Sequence, residues 1–219
     1  MNPSNERGFV IAPRFCGPPF SGNGGYVSGR FASFLKVVDG AVEITLRSPP
    51  PLGVRLDISA TEEGALTLHR GETLVAQAKS GRLTIEPPAP AALDEAAEAA
   101  QRYAGRHAHP FPTCFVCGLD RASGDGMRRE PGSIGASRVA AAWRPDDSLR
   151  STGNSVAAEF AWAALDCPGG WATDLGGRPM VLGRMTARLW ALPEIGRPYV
   201  IVGQLRNVDG RKAFTSSAL

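Results

Sequence analysis

The sequence predicts an α+β fold with two similar halves, each combining one helix with an antiparallel sheet. The main observation is internal similarity: a Gly-rich helix start followed by extended strands occurs near Asn23 and again near Asn154. A second observation is that the 26 Gly and 18 Pro fall mainly at turns, which is typical of a strand-rich chain rather than a disordered one. Repetition of this kind indicates one supersecondary unit built twice.

The first half is predicted to hold four strands after its helix, because its apolar and polar residues alternate. A Pro-rich break and Gly53 separate the first strand from the second, and short turns separate the others. The expected strands cover residues 41–47, 54–58, 65–69 and 72–78.

The second half repeats the order of strand, Pro/Gly corner and strand, and Gly196 corresponds to Gly53. Asp209-Gly210 adds a strong hairpin signal. This half has no counterpart of the strand at 72–79, so we expect it to be one strand short, either because the chain is cut or because another segment or partner covers the sheet edge. Its expected strands cover residues 185–190, 199–202, 203–207 and 212–216.

The predicted domain organisation follows from these halves: a first repeat at 1–85, a linker helix at 86–106, and a second repeat at 107–219 that lacks its last strand. Ala and Glu dominate residues 93–103, between a Pro-rich stretch and Gly105, which is typical of one connecting helix.

Composition excludes several classes of function. The net charge is only +3 over 219 residues, with basic residues spread among acidic ones, so we expect no nucleic-acid surface. No apolar run approaches a membrane span and the first residues lack an apolar signal core, so we expect no membrane association and a cytoplasmic location. The four Cys are irregularly spaced, which fits free thiols in a reducing compartment better than a disulfide framework.

The first helix is predicted over 26–35, directly after Asn23, Gly24 and Gly25. Glycines at a helix start let a ligand approach bare backbone N–H groups, which together with the helix dipole can hold an oxyanion or a phosphate. The alternative is a Gly-rich turn that only lets the chain enter the helix.

The second helix is predicted over 156–170, with Asn154 or Ser155 as its N-cap. Glu159 and Asp166 are seven residues apart, which places both on one side of the helix about 10 Å apart along its axis. A carboxylate in an apolar cleft can serve as a general base or a nucleophile. The alternatives are a Glu159 stabilised by the helix dipole and an Asp166 that bonds backbone in the following turn.

Cys114 and Cys117 have the spacing of half a zinc site, with His107 and His109 just upstream. This His-x-His position is not a regular zinc-finger spacing, and apolar residues and prolines surround the thiols. We therefore expect a packed loop with no metal, and a metal site is the alternative. No cofactor is expected elsewhere in the chain.

Together these residues resemble the hotdog-fold thioesterases, in which a sheet wraps around one long helix and two such units pair. The phenylacetyl-CoA-type members carry His-Gly-Gly at the helix start and an Asp later in the same helix. The first half here has Asn23-Gly24-Gly25, with Ala32 at the acid position nine residues after Asn23. The second half has Asp166 but no His-Gly-Gly, and segments 109–118 and 163–172 also resemble those of thioesterase-like double hotdogs.

This resemblance implies a double hotdog with one composite site, in which Gly24 and Gly25 of the first repeat face Asp166 of the second. The thioester carbonyl would lie against the two glycine N–H groups, and one donor of this kind is typically worth about 3 kcal/mol in rate. Asp166 would activate water or attack directly, Asn23 would orient the carbonyl or the water, and Glu159 is a further catalytic candidate.

The implied substrate is an acyl-CoA or a related thioester, hydrolysed between the repeats. The alternative is a non-catalytic acyl-CoA or lipid-binding protein that has lost the catalytic His. The residues leave a homodimer open.

Overall fold

The protein is described from a computed structural model, which places residues 7–37, 40–173, 175 and 177–219. Within these residues no helix has both the length and the apolar character needed to cross a membrane. The sequence predicts no apolar signal core at the start of the chain. That prediction falls partly on residues 1–6, which lie outside the described residues.

Ten strands and three α-helices follow one another along the described residues, with short 3-10 turns between some of them. The helices are α1 (Gly24–Ala32), α2 (Leu93–Ala99) and α3 (Ala158–Trp171). The strands before α2 are β1 (Gly8–Val10), β2 (Ala41–Leu46), β3 (Arg55–Ala60), β4 (Leu66–Arg70) and β5 (Thr73–Gly81). The strands after α2 are β6 (Gly132–Gly135), β7 (Arg138–Trp143), β8 (Arg184–Ala187), β9 (Tyr199–Asp209) and β10 (Lys212–Ala218).

Two antiparallel sheets hold these strands. The strand order is β1-β3-β4-β5-β2-β8 in the larger sheet and β10-β9-β7-β6 in the smaller one. Helix α1 contacts β2, α3 contacts β9 and β10, and the two helices also pack on each other. The predicted mixture of helices with antiparallel sheets is confirmed.

Strand β8 comes from the second half of the chain but pairs with β2 of the first half. The pairing is antiparallel, from Val42 opposite Ala187 to Thr45 opposite Arg184. In the first half β5 lies between β4 and β2, whereas β8 and β10 of the second half belong to different sheets. The boundaries of the two repeats and of the linker stay predictions.

Strand β9 corrects the prediction of separate strands at 199–202 and 203–207. The chain does not turn at Gly203, because this residue lies directly under α3. A Cβ at Gly203 would lie 2.2 Å from the carbonyl oxygen of Pro168, so only glycine lets the strand pass this close to the helix. The two predicted corners share one backbone feature, since φ is +70° at Gly53 and +78° at Gly196.

Helix α1 begins two residues earlier and ends three residues earlier than predicted. It begins at Gly24 because Asn23 is its N-cap, and the Asn23 Oδ1 accepts a hydrogen bond from the Tyr26 N–H at 2.9 Å. It ends at Ala32, and Ser33 follows as the C-cap.

Helix α3 runs from Ala158 to Trp171, and both predicted N-caps are wrong. Ala157 occupies the N-cap position and makes no side-chain capping bond. Asn154 instead lies in a turn, where its carbonyl accepts from the Ile195 N–H, and Ser155 forms an isolated β-bridge with Glu194. The chain is therefore in a turn and an isolated bridge where the sequence predicts a cap.

Helix α2 covers only the first part of the predicted 93–103 helix, and two 3-10 turns continue it to Arg106. Ala96 and Ala99 are fully buried, and α2 contacts β6 and β7. The connection between the halves is therefore packed against the smaller sheet.

Two glycines bring α1 and α3 into close contact. A Cβ at Gly25 would lie 2.7 Å from the Trp162 carbonyl oxygen, and one at Gly29 would lie 2.6 Å from the Glu159 Cα. Residue numbers rise along α1 as they fall along α3, so the helices run antiparallel. Their backbones approach to a distance that excludes any side chain at these two positions.

Substituting Gly29 with Ala is expected to destabilise the fold by about 1–3 kcal/mol, the usual cost of overpacking. The added methyl would meet the α3 backbone, so it can be accommodated only if the helices separate. Urea denaturation measures the effect. Gly183→Ala is the matched control, because a Cβ there meets nothing within 4 Å. Equal stabilities of the two variants would contradict this account of the helix contact.

An aromatic cluster joins the long 107–131 loop to both helices. Phe115 lies in the loop and is fully buried, with its ring centroid 5.0 Å from Phe15, 6.3 Å from Tyr26 and 5.8 Å from Phe160. Arg121 holds the loop by donating to the carbonyl oxygens of Thr113, Arg14 and Asp125. The loop is therefore part of the hydrophobic core.

Candidate active site

Asp166 lies on α3 opposite the first turn of α1. Its Oδ2 accepts a hydrogen bond from the Gly25 N–H at 2.8 Å. A Cβ at Gly25 would lie 2.6 Å from the Cβ of Asp166, so the carboxylate reaches this N–H only because residue 25 has no side chain. The structure therefore brings together the two residues that the resemblance paired.

Gly24 presents a second backbone N–H at the same helix end. Within the described residues this N–H makes no hydrogen bond, as expected at the first position of a helix. A Cβ at Gly24 would lie 3.3 Å from Asp166 Oδ2 and 2.7 Å from the Cβ of Leu182. The free donor thus lies beside the carboxylate, under the segment that carries Leu182.

Burial raises the pKa of Asp166 to about 7. The Gly25 N–H opposes this shift because it stabilises the charged form, and negative charge on the nearby Cys114 sulfur adds to the shift. The residue keeps some solvent exposure, but protein atoms enclose its carboxyl group. A carboxyl group with a pKa near neutrality can gain and lose a proton at neutral pH, as a general acid or base must.

Asn23 is buried and uses both ends of its amide. Its Oδ1 caps α1, and its Nδ2 points at two sulfur atoms, 3.7 Å from Cys114 Sγ and 3.9 Å from Cys167 Sγ. The amide therefore makes capping and sulfur contacts, and its role in orienting a carbonyl or a water stays a prediction.

Glu159 lies in the first turn of α3, two helical turns from Asp166, and faces Arg30 of α1. The two side chains form an ion pair at 3.5 Å, and both are partly exposed. An ion pair of this kind is worth about 0–1 kcal/mol. The contact gives Glu159 a structural partner away from the Gly24 and Gly25 N–H groups.

Three thiols gather beside Asn23. The Sγ atoms of Cys114, Cys117 and Cys167 all lie within 4.8 Å of one another, and Cys114 and Cys167 are 3.9 Å apart. Hydrogen bonds from the Cys117 and Cys167 thiols lower the pKa of Cys114, against the opposing effect of burial. The spacing along the chain points only to Cys114 and Cys117, although Cys167 directly follows Asp166.

The two upstream histidines are not part of this thiol cluster. His107 is exposed. The His109 Nδ1 accepts from the Phe111 N–H at 2.9 Å, and its Nε2 lies 3.2 Å from the Cys117 carbonyl oxygen. Both ring nitrogens of His109 are therefore engaged by the backbone, and the ring supports the loop.

Two cavities lie away from Asp166. One of about 280 Å³ is bordered by Leu93, Trp143 and Pro198. Another of about 90 Å³ is bordered by Trp171 and Leu175. Leu182 packs against Gly24 at the start of α1.

No protein-family model and no curated protein matches the chain. Solved structures do match. The TesB protein of Mycobacterium avium subsp. paratuberculosis has a TM-score of 0.61 at 15% sequence identity, and the alignment covers 96% of this chain and 84% of that one. A protein described as a thioesterase II from Thermobifida fusca has a TM-score of 0.54 at 16% identity, with 96% and 85% coverage. The chain therefore has the fold of thioesterase II (TesB) proteins.

Proposed function

We propose that the protein hydrolyses an acyl-CoA or a related thioester at Asp166, in a composite site between two hotdog repeats of one chain. The observation that carries this proposal is the Asp166 carboxylate, held 2.8 Å from the Gly25 N–H at the start of α1. The likeness in fold to thioesterase II proteins supports it.

Asp166 can act in two ways, as a general base or as a nucleophile. As a general base, it removes a proton from water while the water oxygen attacks the thioester carbon. As a nucleophile, it forms a mixed anhydride with the acyl group, which water then opens. In each route the C–S bond breaks, and the sulfur leaves as a thiolate that takes up a proton.

The start of α1 polarises the thioester carbonyl in this proposal. The Gly24 N–H is the donor, because it has no partner within the described residues and the helix dipole adds to its effect. Gly25, which the resemblance assigned to the same task, positions Asp166 instead. A single backbone donor of this kind is typically worth about 3 kcal/mol in rate.

The alternative is a protein that binds acyl-CoA or lipid without hydrolysing it. The observation that favours it is Asn23, whose amide is occupied by the Tyr26 N–H and by thiols. The Asn23 amide then has no free group with which to orient a water molecule.

Thiol release from a panel of short, long and aromatic acyl-CoAs distinguishes the two functions. We expect turnover with at least one member, measured by a thiol-specific dye. Saturable binding of a non-hydrolysable acyl-CoA analogue, with no turnover across the panel, would favour the binding protein. Absence of both turnover and binding would contradict both functions.

A further inference from the structure

We infer that Cys114, Cys117 and Cys167 form a zinc site, in which three thiolates bind one Zn²⁺ and a water molecule completes the shell. The inference does not rest on thioester hydrolysis, and the site replaces the expectation of a loop packed without metal.

The spacing of the three sulfur atoms suits a tetrahedral ion. Zinc binds thiolate sulfur at about 2.3 Å, so two sulfurs of one tetrahedral site lie roughly 3.8 Å apart. Cys114 and Cys167 already lie 3.9 Å apart, and every pair in the cluster lies within 4.8 Å. Closing the remaining difference needs only small side-chain rotations.

The cluster joins a tight turn to a helix. Cys114 and Cys117 belong to one turn, in which the Gly118 N–H donates to the Cys114 carbonyl at 2.9 Å. A Cβ at Gly118 would lie 2.4 Å from the Pro112 carbonyl oxygen, so this tight turn needs glycine at position 118. Cys167 comes from α3, and its Sγ meets a turn that lies fifty-three residues earlier in the chain.

Nitrogen donors surround the sulfur atoms, as expected around bound thiolates. The Asn23 amide directs its N–H groups at Cys114 and Cys167, and it cannot rotate away because its oxygen caps α1. The Trp171 indole N–H is buried with no hydrogen-bond partner among the described residues. It is close enough to the Cys117 sulfur to favour the thiolate there.

The turn is held by contacts outside the sulfur atoms. The Tyr103 hydroxyl donates to the Cys117 carbonyl at 2.8 Å, and His109 Nε2 lies 3.2 Å from the same oxygen. Because both His109 nitrogens are engaged, this ring is not available as a fourth ligand. Within the described residues the cluster contains only the three thiols, so we assign the fourth position to water.

Zinc content of the purified protein is the first test. We expect about one Zn²⁺ per chain by elemental analysis when the protein is prepared under reducing conditions, in line with a three-thiolate ligand set. Cys114→Ser, Cys117→Ser and Cys167→Ser should each lose most of this zinc. Cys16→Ser is the matched control, because Cys16 is also buried but donates to the Thr113 carbonyl outside the cluster.

Cobalt substitution reports the ligands directly. Wild-type protein stripped of metal and loaded with Co²⁺ should show sulfur-to-cobalt charge-transfer bands with the intensity of three thiolates. The Cys16→Ser variant should show the same intensity, and each cluster variant should show less. Unchanged bands in Cys167→Ser, or no bands and no zinc in the wild type, would overturn the assignment.

Alkylation of the wild type tests the zinc site without any variant, so it applies even if the cluster variants do not fold. Mass spectrometry after treatment with a thiol reagent should show Cys114, Cys117 and Cys167 protected with Zn²⁺ present. All three should become more reactive after a chelator removes it, while Cys16 keeps its rate. A disulfide between any two cluster residues in protein prepared anaerobically, or protection that is indifferent to chelator, would contradict a zinc site.

Discussion

Replacing Asp166 with Asn is expected to lower kcat for thioester hydrolysis by about a hundredfold to ten-thousandfold, the range supplied by a positioned acid or base. The amide oxygen of Asn can still accept the hydrogen bond that the Gly25 N–H gives to Asp166 at 2.8 Å. The fold is therefore retained while the basic or nucleophilic group is lost. Initial rates of thiol release, measured across substrate concentrations, separate an effect on kcat from one on KM.

Glu159→Gln is the matched control for this substitution, since it changes the other carboxylate on the same helix to an isosteric amide. It removes only a partly exposed ion pair with Arg30, so we expect rates within a fewfold of the wild type. Full activity in Asp166→Asn together with a large loss in Glu159→Gln would reverse the assignment. Measuring zinc in both variants would show whether a rate change comes instead from disturbance of Cys167.

Replacing Phe115 with Ala is expected to destabilise the protein by about 3–5 kcal/mol, the usual cost of removing a buried aromatic ring. The ring is fully buried and contacts Phe15, Tyr26 and Phe160, so its removal leaves a cavity where the loop meets both helices. We expect the loss of stability to appear as a lower urea concentration at the midpoint of unfolding.

Phe20→Ala provides the control, because Phe20 is 91% exposed. Its stability should stay within about 0.5 kcal/mol of the wild type. A Phe115→Ala variant as stable as Phe20→Ala would show that the 107–131 loop is not part of the cooperative core.

The sequence predicted best where local patterns are strong. Strands β2 to β5 follow clear alternation between Pro, Gly and Asp punctuation, and the Asp209-Gly210 hairpin joins β9 to β10 as expected. Strands β1, β6 and β7 were missed. The first two have three and four residues, and β7 is rich in Ala, so none of them carries enough alternation to be recognised.

The candidate site was predictable in part. Gly25 and Asp166 could be paired only by resemblance, because their contact spans one hundred and forty-one residues and depends on how two helices cross. Asn23 shows what a local pattern leaves open: a polar residue before two glycines can face a ligand or cap the helix, and here its side chain caps α1. Cys167 was missed because nothing local distinguishes a thiol facing another thiol from a thiol in an apolar core.

The pairing of β8 with β2 has a consequence for how the chain reaches its native state. These two strands hydrogen-bond across a separation of about one hundred and forty residues, since Thr45 lies opposite Arg184. Contacts of this range close large loops and slow folding, and β2 keeps a bare edge until β8 arrives. During synthesis, the sheet of the first half is therefore completed only after most of the chain has left the ribosome. Until then the exposed edge of β2 can associate with other chains.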